Sequence, residues 1–218
     1  LLFLCAALSV AGILGKNTSV YIPENGFIGL NVPLTSSRKG SCSTRTTHPY
    51  FLNIFSEILK SVGILNPVEN FFSYTSKREI VAFVKDTEAF HSCYMDTISC
   101  SHPCVSRYNK YGSREYPINC GYCYPCIIRK SSLLDICSGS DIGISFYDFL
   151  IENETSDRVS DLKAVISSLY RYKHCNEQEI KSMIRKTGRL SEDEVRKFLF
   201  VYENTMNDLE SMLCEDNR

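Results

Sequence analysis

The stretch NCGYCYPCIIRK, residues 119–130, places Cys120, Cys123 and Cys126 at intervals of three. Cys120 with Cys123 makes one CxxC chelate, and Cys123 with Cys126 makes another. Zinc takes four soft ligands in a tetrahedron, and thiolates serve well. Three residues of one turn-rich segment can occupy three corners, so a fourth ligand has to come from elsewhere. Cys93, Cys100, Cys104 and His102 are the candidates. Cys100 is the choice, because it sits in TISCSHP, after a predicted strand and before a proline-led turn; Cys104 stands second. A metal held by Cys100, Cys120, Cys123 and Cys126 closes the loop between 100 and 120 and restricts the unfolded chain. Four thiolates keep no position open for water, so such a site is structural and not catalytic. Redox-active or incidental cysteines are the competing interpretation.

The chain has 11 cysteines in 218 residues, an odd number, and six of them lie between Cys93 and Cys126. Clustering of this kind fits metal chemistry in a reducing compartment better than a secreted disulfide scaffold. Cys5, Cys42, Cys137, Cys175 and Cys214 are then expected as small buried hydrophobes. A chain of this length buries roughly 70% of its unfolded surface and needs no cross-link merely to have a core. The net charge of −1 excludes a strongly electrostatic nucleic-acid binder, apart from a local cluster such as Arg107, Lys110 and Arg114.

The opening LLFLCAALSVAGILG lacks the basic flank of a signal peptide and is too short to span a bilayer, which takes ~20 apolar residues. It reads as a buried helix ended by Gly15. With no initiator Met, it suggests a chain whose upstream part is absent. SVYIPE follows as a short strand stopped by Pro23, the rhythm of an α/β sheet. Residues 23–49 form a long Pro-, Gly-, Ser- and Thr-rich segment with too many apolar residues for plain disorder. It is expected to be a ligand loop at a strand end, where α/β folds place ligands. Tyr50–Val62 reads as a helix burying Phe51, Ile54, Phe55, Ile58, Leu59 and Val62, closed by Gly63. A short strand is expected at Phe71–Phe72, and a helix after the capping pair Ser76/Glu79. A short helix is expected over 132–141, and helices again from about Ser160 to the end, the last one opened by the capping box Ser191/Glu194.

The spacing CX19CX2CX2C with Arg129 behind it resembles the zinc motif of the 7-cyano-7-deazaguanine synthase (QueC-like) family. There a Thr-rich strand carries the first ligand and a GxCxxCxxR run the rest; here these are TISC (Thr97–Cys100) and GYCYPCIIR (Gly121–Arg129). PENGFIGLN, PLTSSRKGS and STRTTHP look most like the QatC-type branch of anti-phage defence operons. The resemblance covers about residues 1–135. It implies the C-terminal part of a doubly wound PP-loop ATP-pyrophosphatase-like α/β sheet (1–91), a zinc-knuckle segment (92–135) and a helical extension (136–218). The family's SGGxDS phosphate loop has no counterpart in this sequence, so ATP and Mg²⁺ binding would fall to the upstream part of a full-length parent.

The resemblance implies a cytoplasmic ATP-dependent ligase that adenylates a 7-deazaguanine carboxylate and transfers it to an amine. The amine is ammonia in the synthase and a protein acceptor in the defence branch. The partners implied are a 7-carboxy-7-deazaguanine-like molecule and an operon protein, with no membrane; a homodimer is compatible. Glu24 and Asn25 would read the guanine-like edge, and Arg45 would hold a carboxylate or phosphate in two hydrogen bonds. His48 would shuttle a proton, Thr44 and Thr46 would offer hydroxyls, and Arg38 and Arg129 would meet anionic groups. Simpler roles compete for each: a turn at PENG, an exposed Arg38–Lys39 pair, a helix cap at His48, and an Arg129 bonded to carbonyls of the knuckle. Rival functions are a queuosine-pathway 7-cyano-7-deazaguanine synthase and a non-catalytic zinc module docking a partner protein or single-stranded nucleic acid. The convergence of Glu24, Arg45 and His48 on one cleft separates enzyme from docking module.

Overall fold

A computed structural model describes residues 1–32, 46–102, 119–136 and 145–216. In chain order the elements are α1 (Leu2–Leu14), β1 (Val20–Tyr21), α2 (Gly26–Leu30), α3 (Pro49–Ser61), β2 (Val68–Glu69), α4 (Lys77–Val84), α5 (Glu88–Cys93), α6 (Tyr124–Ser132), α7 (Phe146–Glu152), α8 (Ser160–His174), α9 (Glu177–Arg185) and α10 (Glu192–Asp216). These elements gather into two compact units: residues 1–76 with 176–202, and residues 77–175 with 203–218.

The first unit is built on a β-α-β crossover. β1 and β2 pair in parallel, Val20 opposite Val68 and Tyr21 opposite Glu69. The ladder runs through Val20 N–H to Pro67 O at 2.7 Å and Ile22 N–H to Glu69 O at 2.9 Å. Parallel strands need a covering connection, and α1 and α3 supply apolar faces to this pair: Leu4, Leu8, Leu52, Phe55, Leu59 and Val68 form one buried cluster. Among the described residues the sheet has these two strands. A second, aromatic-rich region of the same unit joins Phe27 to Tyr202, with ring centroids 5.8 Å apart, and Tyr74 to Phe198 at 5.0 Å.

Several expectations need correction. α1 forms where expected, but it buries only Leu4, Leu8 and Ala11. Phe3 (87% exposed) and Ile13 (86%) face outward. An all-apolar segment has no periodicity from which its inner face can be read. α3 likewise buries Pro49, Leu52, Phe55 and Leu59, while Ile54, Ile58 and Val62 are exposed. The strand expected at Phe71–Phe72 lies earlier, at Val68–Glu69. Asn70 takes over there: its Oδ1 accepts the Phe72 N–H at 3.0 Å and its carbonyl accepts from Ser73, which turns the chain. Cys5 and Cys214 are exposed and Cys175 is intermediate rather than buried, while Cys42 and Cys137 lie outside the described residues.

The second unit is helical. Its core is drawn from Ile127 and Ile128 of α6, Phe149 of α7, Leu162 and Val165 of α8, and Met206 and Leu209 of α10. α6 packs against both α4 and α8. Pro125 sits in its first turn, where a missing N–H costs nothing; of the helix expected over 132–141, residues 133–136 are turn and 137–141 lie outside the described residues. α7 has no counterpart among the expected elements. α8, α9 and α10 match the expected helical tail, and the Ser191/Glu194 box closes reciprocally at 2.7 and 3.2 Å. Arg78 of α4 holds Asp135 (2.8 Å) and Asp208 of α10 (2.9 Å) together. No described helix is long and apolar enough to cross a membrane.

Candidate metal centre and candidate pocket

Cys100, Cys120, Cys123 and Cys126 bring their sulfurs within 4.8 Å of one another, and all but Cys100 are buried. The Cys120–Cys126 and Cys100–Cys123 sulfurs are 4.0 and 3.9 Å apart. A tetrahedron with metal–sulfur bonds of about 2.3 Å has edges of about 3.8 Å, so the cage is sized for one ion. Four cysteines therefore meet where they can hold a metal.

The backbone makes this cage. Gly121 takes φ 81, a left-handed value that a side chain would resist, and so turns the chain between Cys120 and Cys123. Main-chain N–H groups then point at sulfur: His102 to Cys100 at 3.1 Å, Cys120 to Cys100 at 3.3 Å, Cys123 to Cys120 at 3.4 Å and Ser101 to Cys123 at 3.4 Å. Such donors favour thiolate over thiol. Asn119 locks the first ligand's segment to the other three: its Oδ1 accepts from Ser99 N–H at 3.1 Å and its Nδ2 donates to Thr97 O at 3.2 Å. Pro125 then starts α6, which carries Cys126 in its first turn.

Sulfur–sulfur hydrogen bonds split the thiols. Hydrogen bonds from Cys120 and Cys126 hold Cys123 far below its ordinary value. Donation to Cys123 pushes Cys120 up to about 12, and donation to Cys120 and Cys123 raises Cys126. Four neighbouring thiols cannot all ionise without a cation among them. A coordinated divalent ion removes that conflict and deprotonates its ligands outright.

Arg129, expected to meet an anionic substrate group, is buried at 8% exposure. Its guanidinium donates to Tyr94 O at 2.7 Å and Thr97 Oγ1 at 3.2 Å. Lys77 of α4 donates to Ser99 Oγ at 3.2 Å. Both cations thus brace the segment that delivers Cys100. Asn119 stands inside the motif, and its role is open to sequence inspection; Lys77 carries no local signal at all.

The first unit contains a cavity of about 400 Å³ beside β1, lined by Phe3, Leu4, Tyr21, Glu24, Thr46 and Thr47 among others. Thr47 donates its hydroxyl to Glu24 Oε2, and Asn70 Nδ2 donates to the Glu24 carbonyl at 2.8 Å. Glu24 and Thr46, both expected to bind substrate, therefore share one pocket just past the C-terminal end of a parallel strand. Asn25, expected beside Glu24 on the substrate, does not line this pocket; its Oδ1 accepts Ile28 N–H at 3.1 Å as the cap of α2. Gly26 has no room for a side chain: a Cβ there would overlap the carbonyl oxygen of Ser73.

His48 is not among the residues lining that pocket, so the expected convergence of Glu24, Arg45 and His48 fails at His48, and Arg45 lies outside the described residues. It is 2% exposed, and its Nδ1 accepts Tyr50 N–H at 3.2 Å as the cap of α3. Because Nδ1 accepts, Nε2 carries the proton and donates to Thr187 Oγ1 at 3.0 Å, which itself donates to Ile184 O at 2.7 Å. Arg38, Thr44, Arg45 and Cys104 lie outside the described residues, as do Arg107, Lys110 and Arg114. Comparison of the chain with protein-family models, curated proteins and solved structures finds no match.

Proposed function

We propose that this chain is the zinc-braced, acceptor-side part of a QueC-like ATP-dependent ligase of the anti-phage defence branch, acting on a 7-deazaguanine carboxylate. The observation that carries this proposal is the four-sulfur cage, assembled from the four cysteines that the family-like spacing singles out. The ion is Zn²⁺, because four thiolates in a tetrahedral cage are its preferred structural environment. Its role is to fix the segment 97–102 against the turn 119–126, with no part in bond making.

The pocket on β1 supplies the substrate side. Glu24 keeps one carboxylate oxygen beyond the Thr47 bond, and a carboxylate is the acceptor that the N1–H and exocyclic amine of a guanine-like edge require. Apolar Phe3, Leu4 and Tyr21 provide a surface for a flat heterocycle. In the proposed reaction a substrate carboxylate oxygen attacks the α-phosphorus of ATP and diphosphate leaves. The amine nitrogen then attacks the acyl carbon, AMP leaves, and the amine gives up a proton. ATP and Mg²⁺ would be held by residues other than those of this chain, which has no SGGxDS run.

Mass spectrometry of the full-length parent, incubated with ATP, 7-carboxy-7-deazaguanine and operon partners, tests the reading. A mass increase on a partner protein equal to the acyl group is expected, and Glu24→Gln should weaken substrate binding roughly 10–100-fold through loss of charge-assisted hydrogen bonds. Free nitrile as sole product would assign the chain to the queuosine-pathway branch instead. Absence of any product, with zinc bound, would favour a docking module.

A further inference from the structure

Lys77 and Arg129 are two cations on packed helices, α4 and α6, and neither has a carboxylate in salt-bridge reach among the described residues. Each hydrogen-bonds neutral oxygens only: Lys77 that of Ser99, Arg129 those of Tyr94 and Thr97. Arg129 is buried and Lys77 is partly so. Placing two like charges together away from water is unfavourable unless opposite charge lies close by. The other charge at hand is sulfur. Arg129 follows Cys126 by one helical turn, and Ser99, which binds Lys77, directly precedes Cys100.

Four thiolates around a divalent ion leave two negative charges unbalanced, and Lys77 and Arg129 bring two positive ones. We propose that Lys77 and Arg129 are positioning residues of the metal centre, a built-in counter-charge that sets its affinity for soft divalent ions. The pair lets all four cysteines bind as thiolates without exporting charge into the surrounding helices. This role rests on the four-sulfur cage and is independent of the ligase reading.

The charge is tested separately from the hydrogen bond. Lys77→Gln keeps a donor for Ser99 and loses the charge; Lys77→Arg keeps both. Zn²⁺ affinity is measured by competition with a chromophoric chelator, after metal analysis of the wild-type protein. Absorption of the Co²⁺-substituted protein reports whether all four sulfurs still coordinate. Outer-shell partners of metal ligands alter affinity by roughly 10–100-fold, and a loss of that size is expected for Lys77→Gln, with Lys77→Arg close to wild type. Equal affinity of Lys77→Gln and wild type overturns the proposal, as does equal weakening by Gln and Arg. Should Lys77→Gln fail to fold, Ser99→Ala removes the hydrogen bond and leaves the charge. Retained affinity in that variant is expected, and a tenfold loss would show that the hydrogen bond and not the charge matters. Wild-type protein without metal would sink the cage and this proposal with it, leaving the pocket on β1 untouched.

Discussion

His48 offers the sharpest test of what the THP turn is for. It precedes Pro49, which forces extended backbone on its neighbour; His48 has φ −63 and ψ 131, the conformation of a helix cap. Replacing it with Ala removes the Nδ1 acceptor for Tyr50 N–H, worth about 1 kcal/mol as a cap. The Nε2–H to Thr187 bond goes too, about another 1 kcal/mol. Removal of a fully buried ring stacked on Phe198 leaves a cavity costing roughly 2 kcal/mol more. The total is about 3–5 kcal/mol, which at a urea slope of about 2–3 kcal/mol/M lowers the unfolding midpoint by about 1–2.5 M. Far-UV circular dichroism during urea titration measures it. His48→Asn should recover the cap share alone, since Asn caps as well as any residue. Thr187→Val combined with His48→Ala should cost less than the two changes added, because the pair is in direct contact. A His48→Ala protein that unfolds at the wild-type urea concentration would refute the brace and return His48 to the candidates for proton transfer.

Three further outcomes are expected. Cys126→Ser, or treatment with a strong chelator, should abolish tetrathiolate Co²⁺ absorption and lower the thermal midpoint, with the wild-type spectrum restored only by adding metal back to the unmutated protein. Gly26→Ala should destabilise by about 1–3 kcal/mol in the same urea assay, because the new Cβ meets backbone, which cannot rotate away. Arg78→Met should cost about 1 kcal/mol at pH 7, discounted for solvent screening of a partly exposed pair. Burial raises the Asp208 carboxyl above its ordinary value in spite of Arg78, so the folded state binds a proton more readily than the unfolded one. Stability attributable to Asp208 therefore rises as pH falls through its raised folded value toward the ordinary carboxylate value. The Arg78→Met deficit should shrink over that window, and urea midpoints at several pH values will show it.

The parts legible in the sequence are those set by short-range constraints. CxxC spacing decides where sulfurs can meet, and Cys100, Cys120, Cys123 and Cys126 do meet. His-Pro sets a cap, and Ser191 with Glu194 sets another. What sequence could not show was orientation. α1 is apolar all round, and α3 carries apolar residues on two faces, so the buried stripe Leu52, Phe55, Leu59 could not be told from its neighbour. The strand preference of Phe71 and Phe72 lost to the turn made by Asn70. Partners distant along the chain were invisible in principle: nothing near His48 points to Thr187, and nothing near the knuckle points to Lys77.

What a metal would contribute to the second unit follows from what surrounds the four sulfurs. Among the described residues, the buried cluster at the knuckle consists of Cys120, Cys123 and Cys126, with Cys100 and Tyr122 packed on them. Among the described residues no aliphatic side chain belongs to that cluster, and its apolar support is the ring of Tyr122, stacked on Phe149 at 5.2 Å. Segment 97–102 has no regular ladder; it is tied down by Asn119, Arg129 and Lys77, whose hydrogen bonds reach Thr97 and Ser99. Those bonds are polar and modest in net worth, about 1 kcal/mol each, with charged donors giving somewhat more. They orient the segment but cannot hold it against the entropy of six residues, at about 1–2 kcal/mol each. An ion bonded to all four sulfurs would supply the missing stabilisation where the two segments meet. Cores built on α8 and α10 contain their own Leu162, Val165, Met206 and Leu209 and have no such need. Metal loss should therefore loosen 97–102 and 119–123 first and leave those helices folded.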